Sequence, residues 1–319
     1  MTRRLSRRAF LTESTSCATH IALAGLAMPF AARHWPGRPL GRIVAQEKFG
    51  RLESVAPGIW ALISTPLNGD RTTVCNGGLV AGRSGVLAIE GFMQPAGATW
   101  LAEQSKKLTG RWPTHALVTH YHADHSNGIA AYGEGGRTSV RITDASRELV
   151  DTRNQPDASR RAALADAVAV DPAAESSIDL GDRTVRLVPK SGHTASDVVA
   201  LIDDPAVVFA GDLVWTGMFP NYVDASPAVL TREVRSLRGR DGTIYVPGHG
   251  ALGNNAELDR YLAMLEEVER AARDAKARGL SADEAGAQYK LPASLGEWVL
   301  FNPRFMPTAF AAWYRELGG

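Results

Sequence analysis

The sequence is poor in cysteine, with two in 319 residues, Cys17 and Cys75. That excludes a disulfide framework and a cysteine-rich zinc module. Net charge is almost absent: 35 Lys+Arg stand against 34 Asp+Glu, a formal +1. Nothing electrostatic therefore calls for nucleic acid as a partner. No run approaches eighteen consecutive apolar residues, so no membrane-inserted helix is expected. There is no internal repeat, no low-complexity tract, and no H-E-x-x-H pair one helical turn apart. What remains, with 45% hydrophobic residues, is a globular chain long enough to bury a sizeable core.

The first thirty residues differ in character from the rest. Arg3, Arg4, Arg7 and Arg8 open the chain, and Ser6-Arg7-Arg8-Ala9-Phe10-Leu11 reads as a twin-arginine export motif. A weakly apolar stretch from Cys17 to Phe30 follows, with Gly25 and Ala27 as a small-residue cleavage pair and Ala31 as a second choice. Cleavage after Ala27 would remove four Arg and one Glu, taking the charge from +1 to −2 and leaving Cys75 without a partner. The expectation is a periplasmic or secreted protein. Residues 1–33 would be the signal and the start of a linker, and residues 34–319 a single domain with a helical C-terminal segment.

Within that domain, residues 34–50 are polar and punctuated by Pro and Gly, and read as an arm. Strands are expected at 58–64, 72–81, 85–90, 115–119, 184–188, 198–202, 206–210 and 243–246. Helices are expected at 100–108, 226–237 and 255–278, the last with Leu258, Leu262, Leu265 and Val268 on one stripe. A charged helical stretch fills 145–170. Strand-rich halves on either side of residue 170 suggest an α/β domain of two β-layers flanked by helices.

Three of the eight histidines fall within six residues, His120-Tyr121-His122-Ala123-Asp124-His125. At this composition the pattern H-x-H-x-D-H would arise by chance roughly three times in ten thousand, so it demands a chemical reading. At a strand end, residues i and i+2 project to one side, which lets His120 and His122 share one metal ion. The chain then turns, and Asp124 and His125 can face a second ion. Three other strand ends each bring one further ligand type beside a glycine: Gly192-His193, Gly211-Asp212 and Gly248-His249-Gly250. Seven imidazoles and carboxylates are enough for two metal ions with a position left open for water.

At this point the chain resembles the metallo-β-lactamase superfamily, whose motifs fall in the same order over most of residues 55–250. The resemblance implies a four-layer αββα sandwich with the site at one edge of the two sheets. It implies that His120, His122 and His193 hold a first metal, that Asp124, His125 and His249 hold a second, and that Asp212 bridges them. Glu90 stands where the family usually has an aspartate, and is expected either to orient a ligand histidine or to be a solvated strand-end carboxylate.

Antibiotic-hydrolysing members carry a cysteine where Asp212 stands or lack the bridging carboxylate, so Asp212 favours the broader hydrolases such as glyoxalase II-like thioesterases. The implied activity is cleavage of an acyl bond (ester, lactone, thioester or β-lactam) by hydroxide formed at two Zn²⁺ ions, with Asp124 passing the proton on. Iron and manganese also suit these ligands. The alternatives are a mononuclear-iron oxygenase resembling persulfide dioxygenases and a periplasmic β-lactamase proper.

Other residues carry less. Trp215, Phe219 and Tyr222 are candidates for an apolar wall against a small-molecule substrate, or for ordinary packing. Asp197 is a turn cap or a site residue, His115 a core histidine, Cys75 a buried inert thiol. The aromatic-rich last thirty residues suggest a segment packed over the domain or the self-association surface of a homo-oligomer.

Overall fold

The protein was analysed as a computed structural model, which describes residues 40–318. The export segment expected over residues 1–33 lies outside the described residues.

The described chain begins with β1 (Arg42–Glu47), β2 (Gly50–Ala56), β3 (Ile59–Ser64), β4 (Gly77–Ala81) and β5 (Val86–Ile89). Helix α1 (Pro95–Thr109) crosses to β6 (His115–Leu117), and the short α2 (Ala123–Ser126) precedes β7 (Ser139–Ile142). After α3 (Asp144–Arg153) and α4 (Ala158–Ala165), β8 (Val168–Ala169) completes an eight-stranded sheet in the order β1 to β8. Its strands pair antiparallel up to β5 and parallel thereafter.

The second sheet is formed by β9 (Ser176–Asp179), β10 (Thr184–Lys190), β11 (Asp197–Ile202), β12 (Val207–Thr216) and β13 (Ile244–Gly250). Its order is β13-β12-β11-β10-β9. Only β12 and β13 pair parallel, and a parallel step needs a crossover, supplied by α5 (Pro227–Ser236). Helices α6 (Asn255–Ala277), α7 (Ala282–Gln288) and α8 (Phe305–Leu317) follow.

Strand β3 shows why the runs are apolar throughout. Alternate residues Ile59, Ala61 and Ile63 enter the core between the sheets, facing Val185, Leu187, Val198 and Phe209 of the second sheet. Leu62, on the opposite face, packs with Leu101 and Ala102 of α1. Both faces of each sheet are covered, so period-two alternation of apolar and polar residues disappears. The outer face of the second sheet, with Val214 and Trp215, packs on α5, α6 and α8. This is the αββα order of layers. Helix α6 forms as its stripe predicts. Asn254 and Glu257 make a reciprocal capping box, and Leu258, Leu262, Leu265 and Val268 are buried. No helix among the described residues is long and apolar enough to cross a membrane.

Some expectations are corrected. Residues 145–170 are not one helix, because Pro156 has no N–H to donate and disfavours helical backbone before it. Gln155 takes φ +46°, α3 ends at Arg153, and α4 restarts at Ala158 on an Asp157 cap. The arm at 34–50 contains β1, a strand with no fully buried residue and hence no readable alternation. Of 72–81, only Gly77–Ala81 is a strand. Just before it, Asn76 ties the two sheets together: its Nδ2 donates to the carbonyls of Pro247 (3.0 Å) and Gly250 (2.8 Å), and its Oδ1 accepts from Ser64 N (2.8 Å). The C-terminal aromatics settle as a packed segment, with Phe310 and Trp313 of α8 at 1% exposure in the core against α6.

Candidate metal centre

All seven expected ligands converge at one edge of the sandwich. His120, His122 and His125 lie after β6 and on α2, His193 after β10, Asp212 on β12 and His249 on β13. Asp212 is not in a loop beyond its strand. Strand β12 continues to Thr216 through an irregularity in its pairing with β13 at Gly211, which turns Asp212 into the cluster. Gly211, at φ +52°, permits that turn.

The candidate ligand atoms form two groups that share Asp212, and a third set, Cys75, Asp124 and His125, lies equally close together. His120, His122, His193 and Asp212 offer atoms within 4.8 Å of one another, as do His125, Asp212 and His249. His193 Nε2 stands 3.0 Å from His122 Nδ1 and 3.3 Å from Asp212 Oδ2. Asp212 Oδ1 stands 3.1 Å from His125 Nε2 and 3.3 Å from His249 Nε2. Asp124 joins the second group, with Oδ2 3.3 Å from His249 Nε2 and 3.6 Å from His125 Nε2.

The donor set fits a metal by a direct test. His120 Nε2 is buried and makes no hydrogen bond. Such a group costs about 1–3 kcal/mol unless something completes it. His120 Nδ1 lies 3.1 Å from Thr119 Oγ1, so Nε2 is the nitrogen presented to the cluster.

Several of the candidate ligands are braced from behind. Glu90 is buried, with Oε1 accepting from Thr119 Oγ1 (2.6 Å) and lying 3.0 Å from His125 Nδ1. It is the histidine-orienting carboxylate, not a solvated one. Asp197 caps the turn that carries His193, accepting from His193 N (3.2 Å), Thr194 N (3.0 Å) and Thr194 Oγ1 (2.7 Å). Sequence reasoning missed Asp224. Its carboxylate accepts from His122 Nε2 (3.0 Å), from Arg153 Nη1 (2.8 Å) and from the Tyr121 hydroxyl. No local spacing announces it, since its partners lie more than seventy residues away. Cys75 is buried and its thiol donates to the Asp124 carbonyl (2.8 Å), which holds the ligand loop. His115 is half-buried beside Thr114 Oγ1, away from the cluster.

Of the three aromatics considered for a substrate wall, Trp215 qualifies. It stacks on His249 with ring centroids 4.0 Å apart and lines a cavity of about 510 Å³ over the cluster. Phe219 and Tyr222 do not: both are at most 1% exposed in the core beneath α5 and α6.

Charge divides the two groups. Burial disfavours the cation at His193 and lowers its pKa to about 3, and burial likewise drives His120 well below the usual histidine range. Burial opposes the cation at His249 too, but Asp212 and Asp124 outweigh it and raise its pKa to about 9. His125, buried beside Cys75, Asp212 and Glu90, is also raised well above its usual value. In the metal-free protein, burial therefore favours the neutral imidazole at His120 and His193, whereas the neighbouring carboxylates favour the cation at His249 and His125. For His249 the folded value lies above the unfolded value of 6.5, so its contribution to stability is full below pH 6.5 and is lost as pH rises through about 9. A metal ion must displace those protons. Metal uptake at pH 7 is expected to release protons, and affinity at the His125–His249 side is expected to climb between pH 7 and 9. Calorimetry in buffers of different ionisation enthalpy checks this; an affinity flat over that range would contradict it.

Residues 71–249 match the family described as the Metallo-beta-lactamase superfamily. The chain belongs to this superfamily. It is 31% identical over 229 residues to a hydroxyacylglutathione hydrolase of Acidiphilium cryptum (strain JF-5), covering 71% of this chain and 84% of that one. It is 28% identical to the hydroxyacylglutathione hydrolase of Methylobacterium sp. (strain 4-46), over 66% of this chain and 75% of the relative. Among solved structures it is similar to a metallo-beta-lactamase from Pontibacter korlensis (TM-score 0.57, 20% identity, 67% of this chain and 98% of that one). It is also similar to the stereoselective inverting sec-alkylsulfatase Pisa1 from Pseudomonas sp. (TM-score 0.66, 13% identity, 95% and 62%). The structural likenesses speak for the αββα fold. With a metallo-β-lactamase fold and hydrolase relatives, the protein is a metal-dependent hydrolase.

Proposed function

We propose that the protein is an exported hydrolase that holds two divalent metal ions, zinc foremost, and cleaves an acyl bond in a small ester, lactone or thioester. The observation that carries this reading is the shared position of Asp212, whose carboxylate belongs to both groups of ligand atoms. His120, His122 and His193 would hold the first ion, and Asp124, His125 and His249 the second, with Asp212 between them. Bound there, such ions supply Lewis acidity and hydroxide at neutral pH.

The chain does the rest. His120 and His193, kept neutral by burial, offer lone pairs without first losing a proton. Glu90 and Asp224 fix the ring orientations of His125 and His122. Asp124 resists protonation: burial opposes its charge, but His125 and His249 hold its pKa below the usual carboxylate range. It lines the cavity, where the carboxylate oxygen not turned towards His125 and His249 can take a proton and pass it to the departing group. The hydroxyacylglutathione hydrolase relatives favour a thioester or ester over a lactam. The Ser6–Leu11 motif supports export, which cell fractionation of an Arg7→Lys, Arg8→Lys variant tests: retention in the cytoplasm is expected, and unchanged export would refute it.

A panel of esters, lactones, thioesters and β-lactams, assayed before and after chelation, tests the activity. Turnover of at least one acyl class, lost on chelation and restored by zinc, is expected. A fully metal-loaded protein inert on all four classes would refute the reading.

A further inference from the structure

A file of aromatic rings runs through the cavity wall and starts on a candidate ligand. Trp215 stacks on His249 with ring centroids 4.0 Å apart, Phe305 stands 6.1 Å from Trp215, and Phe301 stands 6.5 Å from Phe305. All three rings line the cavity, and Val74 and Met93 add further apolar surface. The rings are largely packed, at 3%, 8% and 9% exposure for Trp215, Phe305 and Phe301. The wall is therefore built before any substrate arrives, which lowers the ordering cost of binding.

The outer two rings come from the C-terminal segment, past residue 249 where the family match ends. That segment is fastened beside the end of β12. Val299 N donates to the Gly217 carbonyl (2.9 Å), and the Val299 carbonyl accepts from Phe219 N (2.9 Å). Asn302 then fixes the turn into α8, its Oδ1 accepting from Arg304 N (2.9 Å) and its carbonyl from Phe305 N (3.0 Å). The Arg71 guanidinium lies 5.3 Å over the Phe301 ring and ties it to the loop before β4.

Much of the polar lining is already engaged within the chain. Arg153 pairs with Asp224 (2.8 Å) and Arg304 with Asp283 (3.6 Å). Asn154 Nδ2 donates to the Tyr121 carbonyl, and Asn127 Oδ1 accepts from Arg160 Nη1. Asp124 and Asp212 belong to the candidate ligand set. The aromatic file is therefore the surface best placed to distinguish one substrate from another. An apolar group laid along it leaves water, and the gain grows with the area covered. The cavity, about 510 Å³, has room for an aryl or medium alkyl group.

We propose that the C-terminal segment makes this hydrolase selective for an ester or thioester bearing an aryl or medium alkyl group, which lies along Trp215, Phe305 and Phe301. This rests on the acyl-hydrolase reading of the same site.

The test uses zinc-loaded enzyme and two thioester series. One varies the acyl group on a fixed small thiol, from acetyl through butanoyl to hexanoyl and benzoyl; the other varies the thiol in the same way on a fixed acetyl group. In at least one series kcat/KM is expected to climb about thirtyfold or more from the smallest to the largest member. Phe301→Ala and Phe305→Ala should each flatten that climb, chiefly through KM. Leu300→Ser, at an exposed neighbour outside the cavity lining, should leave it intact. Calorimetric binding of non-hydrolysable thioethers carrying the same groups should follow the same order, with metal in place or removed. Two flat series, or a climb that survives both phenylalanine replacements, overturns the inference and leaves the hydrolase standing. No turnover of any member or of the wider acyl panel removes the hydrolase reading, and this inference with it. The wild-type series and the binding order decide the preference even where a variant fails to fold.

Discussion

Asp212→Asn is expected to lower kcat/KM about a thousandfold or more, with the fold intact. The substitution keeps the shape of the side chain and removes the charge that His125, His193 and His249 share at 3.1–3.3 Å. In the proposed two-ion centre, transition-state charge stabilisation of several kcal/mol would depend on both ions being held together, and each 1.36 kcal/mol is a factor of ten in rate. Metal content should fall in parallel. The pKa values of His125 and His249 should drop as well, because Asp212 is among the charges holding them up. Steady-state kinetics, metal analysis and histidine NMR titration measure the three effects. Near-normal turnover at full metal loading would show that Asp212 is no bridge.

Gly248→Ala is expected to lower activity about a hundredfold or more, without replacing any of the seven cluster residues. A Cβ at position 248 would come within 1.9 Å of Asp212 Oδ1, 2.8 Å of the Gly211 carbonyl carbon and 2.9 Å of Asp212 N. The last two atoms are backbone of the neighbouring strand and cannot swing away. Either Asp212 rotates out of the cluster or β12 and β13 part, and overpacking of this kind costs about 1–3 kcal/mol in stability. Gly133→Ala is the control, because its Cβ would meet nothing within 4 Å. It should leave activity and melting temperature unchanged, and equal behaviour of the two variants would contradict the steric account.

The clustering of the candidate ligands was legible in the sequence because strand geometry is local. Alternation places His120 beside His122, and Gly192, Gly211 and Gly248 flank the three distant ligands where backbones approach closely. The layered fold was legible for a similar reason: β3, β11 and α6 carry patterns set by what each face buries. Where the pattern is set from a distance, the reading failed. Strand β1 buries no side chain fully, so it resembles an arm. Phe219 and Tyr222 follow Asp212 closely in sequence, yet the continuation of β12 to Thr216 carries them past the cavity into the core. Asp224 meets His122, Tyr121 and Arg153 only when segments far apart in the chain come together.

The most direct test of the two-ion centre is metal stoichiometry of the purified chain, by elemental analysis before and after chelation and re-titration. The account predicts two zinc ions per chain, filling in two steps, with hydrolysis lost on removal and regained on return. A single iron per chain, or hydrolysis that survives complete metal removal, would contradict it.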